Sequence, residues 1–543
     1  MNRSAHPLQA ARDRVEALRR GLEARGEPPV RLVETHISWV LLTPACAFKL
    51  KKPVSLPFLD FTSLADRSRF SREELRLNQR LAPSLYLDVV DVCDGPAGPR
   101  FGGSGPVVDV AVRMRRFADG ALWTERQRRG DLCSADIDAL ATRLAVFHQA
   151  APEASPGDAY GGSPLQARVT AGLIDSVEAA REKSAELSEA GWASLRDWLT
   201  RQGHALQVHF EARRRAGHVR ECHGDLHLAN IVQLEEGPTA FDAIEFDPAL
   251  RWIDVVDDVA FLAMDLIAHG EPGHAYRFLD GWLSETGDYD GLPALRYYMV
   301  RRALVRACVA ALRRADGAAE PASCRFEDYL ALAGRLAGGA DPRLAITCGL
   351  PGSGKSFISR ELVQAVGAIR VRSDVERKRL FGLGILEPSQ GRVPGGIYGA
   401  STTERTYARL LDVARLGLEA GWPVIVDAAF LRRSERVLFQ GLAASLQVPF
   451  SIVACQAPMH LMARRLEERN ASGTDASEAD GSVLKHLSTC CDTLDPMERA
   501  RTIVVDATGT VDPALIGQQW RDAREPQESP DRDGVPAREP LER

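Results

Sequence analysis

The stretch Gly349-Leu350-Pro351-Gly352-Ser353-Gly354-Lys355-Ser356 decides the fold of the C-terminal part of this chain. Its spacing is glycine, four residues, then Gly-Lys-Ser. It lies between the apolar run Leu344-Ala345-Ile346-Thr347-Cys348 and the helix-periodic segment Phe357 to Val363. Strand, glycine loop, helix is the order in which backbone N–H groups converge on phosphate. The glycines let successive N–H groups turn inward, and the helix N-terminus adds partial positive charge. Lys355 then reaches the β and γ phosphates, and Ser356 offers its hydroxyl to Mg²⁺. Gly349, Pro351, Gly352, Ser353, Gly354, Lys355 and Ser356 are therefore nucleotide-binding candidates, and the loop implies ATP and Mg²⁺ as cofactors. A chance glycine turn containing Lys-Ser would not bring the flanking strand and helix.

Downstream, apolar runs alternate with helical segments, the pattern of a doubly wound parallel sheet. A second strand, Ile369 to Arg372, leads into Ser373-Asp374-Val375-Glu376-Arg377. Ligands gather beyond strand C-termini in such sheets, so Asp374 and Arg377 lie where an acceptor would sit. A helix from about Thr402 to Ala420 precedes a third strand, Pro423 to Asp427, whose terminal acid suits Mg²⁺ or its water shell. Further strands follow at Phe450 to Ala454 and Thr502 to Asp506. Two basic segments stand among these strands, Phe430 to Arg436 before Phe450 and Leu461 to Arg469 after Ala454. The second, followed by the polar loop Asp475 to Ala479, suits a lid over the transferred phosphate. Solvated helix faces fit these arginines equally well.

A chain of 543 residues is too long for one core, and length suggests about two to four domains. The apolar share is 45% and the charged share 26%, as in ordinary globular protein. A net charge of -6 gives no reason to expect a polyanion partner through bulk electrostatics, although a local arginine pocket could take a nucleic-acid end as acceptor. The N-terminus lacks an apolar leader core. The most apolar candidate helix, Val255 to Ala268, is too short to span a bilayer and is broken by Asp257, Asp258 and Asp265. The 10 cysteines show no CxxC spacing. These features point to a cytoplasmic chain with reduced thiols and no membrane partner.

The first half is organised differently. After an exposed helix from about Pro7 to Arg25, short strands are expected at Val33 to Leu42 and Ala45 to Leu50. In the second, Phe48 and Leu50 alternate with Lys49 and Lys51, so one face is apolar and the other basic. A helix over Ser68 to Leu81 carries Glu73 and Glu74. Strands at Tyr86 to Cys93 and Pro106 to Met114 follow, and from Asp136 the chain is mostly helical. A small β-rich lobe with a strand lysine and a helix glutamate, followed by a helical lobe, is the plan of protein kinases. A catalytic segment fits at Glu221-Cys222-His223-Gly224-Asp225-Leu226-His227-Leu228-Ala229-Asn230, where Asp225 and Asn230 are five apart. After it comes the acidic segment Asp242-Ala243-Ile244-Glu245-Phe246-Asp247. Lysines at 49, 51 and 52 also fit a solvated strand edge. Clustered acids at 225 and 245 are better explained by a cation between them.

His-Gly-Asp-Leu-His-x-x-Asn, then Ile-Glu-Phe, then Asp254 and Asp258, resembles the aminoglycoside phosphotransferase and choline kinase group over about Val30 to Ala340. By that resemblance Asp225 accepts or orients a substrate hydroxyl and Asn230 binds Mg²⁺. Lys49 or Lys51, paired to Glu74 or Glu73, holds phosphate, and Arg115 to Asp119 is a hinge meeting adenine. The chain departs from the group at Glu245, where the metal-binding position is usually aspartate, with Asp242 and Asp247 as nearby substitutes. It also lacks a Gly-x-Gly-x-x-Gly loop. The second half, about Arg343 to Trp520, resembles small P-loop kinases of the polynucleotide kinase, gluconate kinase and zeta-toxin type. That resemblance makes Asp374 the general base and Arg377 the ligand of the acceptor's own phosphate or carboxylate. Arg432 or Arg436, and Arg464, Arg465 or Arg469, stabilise charge at the transferring group.

The expected organisation is an N-terminal helix to residue 29, a two-lobed protein-kinase-like α+β domain over 30–337, a linker at 338–342, a P-loop domain over 343–520 with AAA-type ATP binding, and a disordered tail over 521–543. The function expected is ATP-dependent phosphoryl transfer to an unidentified hydroxyl by two kinase-like modules. The main rival makes the first half a sensor or scaffold, with only the P-loop half turning over ATP. A mechanical NTPase is a third class.

Overall fold

Alternation with a period of two builds the N-terminal sheet. In the strand Cys46–Lys51, Phe48 and Leu50 share one face while Lys49 and Lys51 share the other. The computed structural model describes residues 5–26, 29–56, 59–181, 189–315, 325–389 and 397–523. It divides into two units, Met1–Ala340 and Asp341–Arg543.

In the first unit six antiparallel strands run in the order Arg31–Glu34, Ser38–Leu42, Cys46–Lys51, Val107–Arg115, Tyr86–Cys93, Arg100–Phe101. The single run expected at Val33 to Leu42 is two strands, because the Thr35 hydroxyl accepts from Ser38 N at 3.0 Å and closes a turn between them. Helix Ala5–Glu23 is not simply an exposed helix. It buries Ala11, Val15, Leu18 and Leu22 against Trp39, Leu41, Phe48 and Leu50, each such side chain worth about 1.5–3 kcal/mol of transfer free energy. Helix Leu64–Asn78, capped by Ser63, packs on the two long strands Tyr86–Cys93 and Val107–Arg115. In the helical lobe, Leu292–Ala315 packs on Val255–Ala268 and Phe326–Ala337. The unit is a two-lobed protein-kinase-like fold.

The second unit is a doubly wound P-loop fold. Five parallel strands stand in the order Ile369–Arg372, Val424–Asp427, Leu344–Cys348, Phe450–Gln456, Thr502–Asp506. The chain leaves Leu344–Cys348 toward one edge and later returns past it. Right-handed crossovers then put helix Lys355–Val366 on one face and helices Ala400–Glu419 and Arg433–Leu446 on the other. Helix Pro513–Asp522 packs against Lys355–Val366. It includes the first two residues of the expected tail, whose stretch 524–543 lies outside the described residues. Among the described residues, no helix is long and apolar enough to cross a membrane.

Candidate functional site

In the first unit the basic face of Cys46–Lys51 meets a buried carboxylate. Glu74, fully buried on helix Leu64–Asn78, ion-pairs with Lys49 through Oε1 at 2.8 Å and accepts from Lys51 on Oε2 at 2.7 Å. Lys49 also pairs with Asp242, and Lys51 with Glu245. The alternative Glu73 pairs instead with Arg76 and Arg251. Burial alone would raise the pKa of Glu74, but the two lysines hold it down at about 2. Burial raises that of Glu245 despite Lys51. The two lysines are not equivalent: Lys51 is 1% exposed and Lys49 10%, beside the 38% exposed carboxylate of Asp242.

The catalytic-loop candidate is held from beneath by a helix that looks apolar in sequence. Asp258 accepts from His223 N at 3.0 Å and Gly224 N at 2.9 Å, and Asp265 accepts from Leu228 N at 2.9 Å. Asp257 takes Arg302 at 2.7 Å, and Arg302 in turn donates to Gly224 O at 3.0 Å. Of these three aspartates the sequence singles out only Asp258, as part of the kinase-like motif; Asp257 and Asp265 read there as breaks in an apolar helix, and acids inside such a helix are the signal of their role. His148 donates to Asp258 at 3.2 Å, its other ring nitrogen accepting from the Trp282 indole at 3.0 Å. The cluster His148, Cys222, Asp258 is therefore satisfied by hydrogen bonds. Gly224 has φ 85°, and a Cβ there would lie 2.6 Å from Leu250 O, so the turn into Asp225 needs glycine.

Asp225, with a side chain 37% exposed, accepts from Asn230 Nδ2 at 3.0 Å and lies 3.3 Å from His227 Nε2. Burial opposes ionisation, but His227, Arg306 and His223 pull its pKa well below the ordinary carboxylate range. Asn230 Nδ2 also bonds Asp225 O at 3.0 Å, which leaves the amide oxygen free to accept a cation. Strand Ile231–Leu234 pairs with Gly237–Ala240, and Phe241 N donates to Asn230 O at 2.9 Å, so Asp242 follows at the open end of this hairpin. Its φ of 65° is in the left-handed region, uncommon for a non-glycine residue. Glu245, the expected metal ligand, is 5% exposed and committed to Lys51. Asp242, with a side chain 38% exposed, is more accessible than Glu245. In the hinge segment, Phe117 lies 5.7 Å from Phe241.

In the second unit, Pro351, Gly352, Gly354, Lys355, Ser356, Asp374, Arg377, Asp427, Arg432 and Arg469 all line one cavity of about 1370 Å³ at the carboxyl ends of the strands. Gly352 has φ 81°, and a Cβ there would lie 2.6 Å from Met462 O, so the loop closes on its neighbour only with glycine. Ser353 is fully buried, and Gly349 N donates to Ala429 O at 3.1 Å. Lys355 donates to Leu350 O at 2.9 Å, and its burial lowers its pKa. Asp427, 4% exposed, accepts from Ser359 Oγ at 3.1 Å and lies 3.6 Å from Arg372, which pairs with Asp475 at 2.9 Å.

Two expected arginines stand elsewhere. On helix Met459–Ser472, Arg465 and Arg469 line the cavity one turn apart, whereas Arg464 is 68% exposed and pairs with Glu468 at 3.5 Å. Residues one position apart cannot share a helix face with both. Arg436 is 1% exposed and forms a two-point pair with Glu498 at 2.8 and 3.0 Å. It joins helix Arg433–Leu446 to helix Pro496–Ala500 and does not line the cavity.

Residues 344–494 match the AAA domain family. Choline kinase from Cryptosporidium parvum Iowa II aligns with 59% of this chain and 93% of its own, at 11% identity and a TM-score of 0.37. A gluconokinase from Sinorhizobium meliloti 1021 aligns with 33% of this chain and 92% of its own, at 22% identity and a TM-score of 0.24. Uncharacterized protein Rv2004c of Mycobacterium tuberculosis is 32% identical over 466 residues, covering 84% of this chain and 90% of that protein. The chain belongs to the family of that mycobacterial protein, and its second unit carries the AAA domain match.

Proposed function

We propose that the chain is an ATP-dependent phosphotransferase with two kinase-like modules, each moving the γ-phosphoryl group of ATP to a hydroxyl. The observation that carries the reading is the shared wall of the C-terminal cavity, where Lys355, Ser356, Asp374, Arg377 and Asp427 meet. There the acceptor hydroxyl passes its proton to the Asp374 carboxylate as its oxygen bonds to the γ-phosphorus. The bond from that phosphorus to the bridging oxygen breaks, and ADP leaves. Lys355, Arg465 and Arg469 offset charge on the phosphates, and Arg377 holds an anionic group of the acceptor.

In the N-terminal unit Asp225 is ionised at neutral pH and orients the acceptor hydroxyl. Lys49, the more accessible lysine, leaves Asp242 for phosphate, while Lys51 stays locked to Glu74 and Glu245. Mg²⁺ prefers hard oxygen ligands. Ser356 with Asp427, and Asn230 with Asp242, supply them. When bound, the ion would neutralise phosphate charge.

A second reading, in which the N-terminal unit senses ATP without turning it over, is favoured by one feature: Lys49 and Asp242 neutralise each other. Turnover of labelled ATP by Asp225→Asn and Lys355→Ala variants separates the two. Loss of part of the turnover in each supports two active modules. Loss in Lys355→Ala alone leaves the first unit a sensor, and no turnover in the unaltered chain with any hydroxyl acceptor sinks the proposal.

A further inference from the structure

Beyond Arg377 the cavity of the C-terminal unit changes character. Arg377 is 6% exposed, and its Nη1 donates to Ile397 O at 3.0 Å and to Thr403 Oγ1 at 3.2 Å. Its Nε is buried with no hydrogen-bond partner. Three other buried cations described in this unit each have a carboxylate: Arg370 has Asp427 at 3.9 Å, Lys378 has Glu478 at 3.1 Å, and Arg436 has Glu498 at 2.8 Å. Among the described residues, Arg377 has none. A desolvated cation without a counter-charge is costly, so this guanidinium is set to receive an anion from the cavity.

The apolar part of the cavity wall is made by Phe357, Leu411, Leu431, Leu438, Val483 and Leu487. Phe357 and Leu438 are each 53% exposed, and Tyr398, whose ring lies 5.2 Å from the Arg377 guanidinium, is 39% exposed. Exposed large apolar side chains are ordinary when scattered, but gathered on one concave wall they mark a ligand surface. The volume of about 1370 Å³ also exceeds the roughly 300–1,000 Å³ of a pocket for one small molecule. Asp374 and Arg377 are three residues apart on helix Ser373–Arg379 and so share a face.

We propose that this wall is an acceptor subsite for an amphipathic anion. The acceptor presents a hydroxyl to Asp374, a carboxylate or phosphate to Arg377, and an apolar body of several carbons to Phe357, Leu438 and Leu487. The proposal rests on the reading of this unit as a phosphotransferase. It narrows the acceptor from any hydroxyl compound to one whose affinity grows with its hydrocarbon content.

The test is calorimetric titration of the full chain, saturated with Mg²⁺ and ADP, with 3-hydroxyalkanoates of four to ten carbons and, separately, with the matching hydroxyalkyl phosphates. In one of the two series affinity is expected to rise roughly fourfold per methylene, and which series does so identifies the anion. Leu438→Ser should flatten the rise. Arg377→Gln should weaken every member alike, by about tenfold to a hundredfold. Because Leu438 is already more than half exposed, its replacement should leave the melting temperature unchanged, which separates loss of the subsite from misfolding. No chain-length dependence in either series, or a rise that Leu438→Ser leaves intact, overturns the subsite. If that happens while Mg-ATP still binds, the phosphotransferase reading stands; absence of Mg-ATP binding overturns that reading itself.

Discussion

The ammonium of Lys355 donates to the carbonyl oxygen of Leu350 at 2.9 Å, five positions back in the same glycine loop. It faces a cavity, its burial lowers its pKa, and Asp427 and Asp374 act on it through the field rather than by contact. A cation so placed gains little from one carbonyl and much from a phosphate.

Lys355→Met should therefore cost function and not stability. The melting temperature is expected to hold or rise slightly, since a partly desolvated charge is removed. ATP turnover by the C-terminal unit should fall by about a hundredfold or more, the scale of losing one donor to a developing anion. A variant that unfolds, or one that keeps full turnover, would contradict this.

Glu245 and Asp242 should separate cleanly. Glu245→Gln removes a carboxylate whose pKa burial raises and keeps Lys51 paired with Glu74, so its urea midpoint at neutral pH should hold or rise. It should leave the Mg²⁺ dependence of ATP binding unchanged. Asp242→Asn should weaken that dependence with little loss of stability, as its carboxylate is 38% exposed. Mg²⁺ titrations beside urea melts of both variants check the pair.

Arg436 and Arg377 give a second contrast. Arg436→Ala strands Glu498 in the interior and should destabilise the unit by about 3–5 kcal/mol, with the acceptor KM of any folded fraction unchanged. Arg377→Gln should raise that KM and leave the urea midpoint nearly unmoved. The reverse outcome would return Arg436 to the phosphoryl-transfer site.

How far the sequence could be read follows from these residues. The glycine loop and its flanking strand are local in sequence, so Lys355, Ser356 and the parallel sheet were legible. So was the two-residue period that turns Lys49 and Lys51 away from Phe48 and Leu50. Contacts across long separations were not. Arg436 looks like its basic neighbours until Glu498 arrives from 62 positions away. Choosing Asp242 over Glu245 depends on a left-handed φ of 65°, which no composition or period announces. The choice between Glu73 and Glu74 was a matter of helix phase. The first helix reads as exposed because nothing local to it announces the sheet that covers Val15 and Leu18.

Acid should expose the lysine and glutamate cluster. Glu74 has its pKa held at about 2 against an ordinary 4.5. Its contribution is fully present above pH 4.5 and is lost as pH falls toward 2, roughly 3 kcal/mol in all. Glu245, raised by burial, has the opposite sign, and its cost sets in as pH rises through 4.5. Urea midpoints between pH 6 and pH 2.5 should fall more steeply for the unaltered chain than for Glu74→Gln. Parallel acid limbs would remove Glu74 from the account.

Two ATP sites in one chain is the central claim, and calorimetric titration of the full chain with Mg²⁺ and a non-hydrolysable ATP analogue counts them directly. Two sites per chain are expected, one removed by Lys355→Met and the other weakened and made less dependent on Mg²⁺ by Asp242→Asn. Fewer than two sites in the unaltered chain, or two that survive in the double variant, would contradict it.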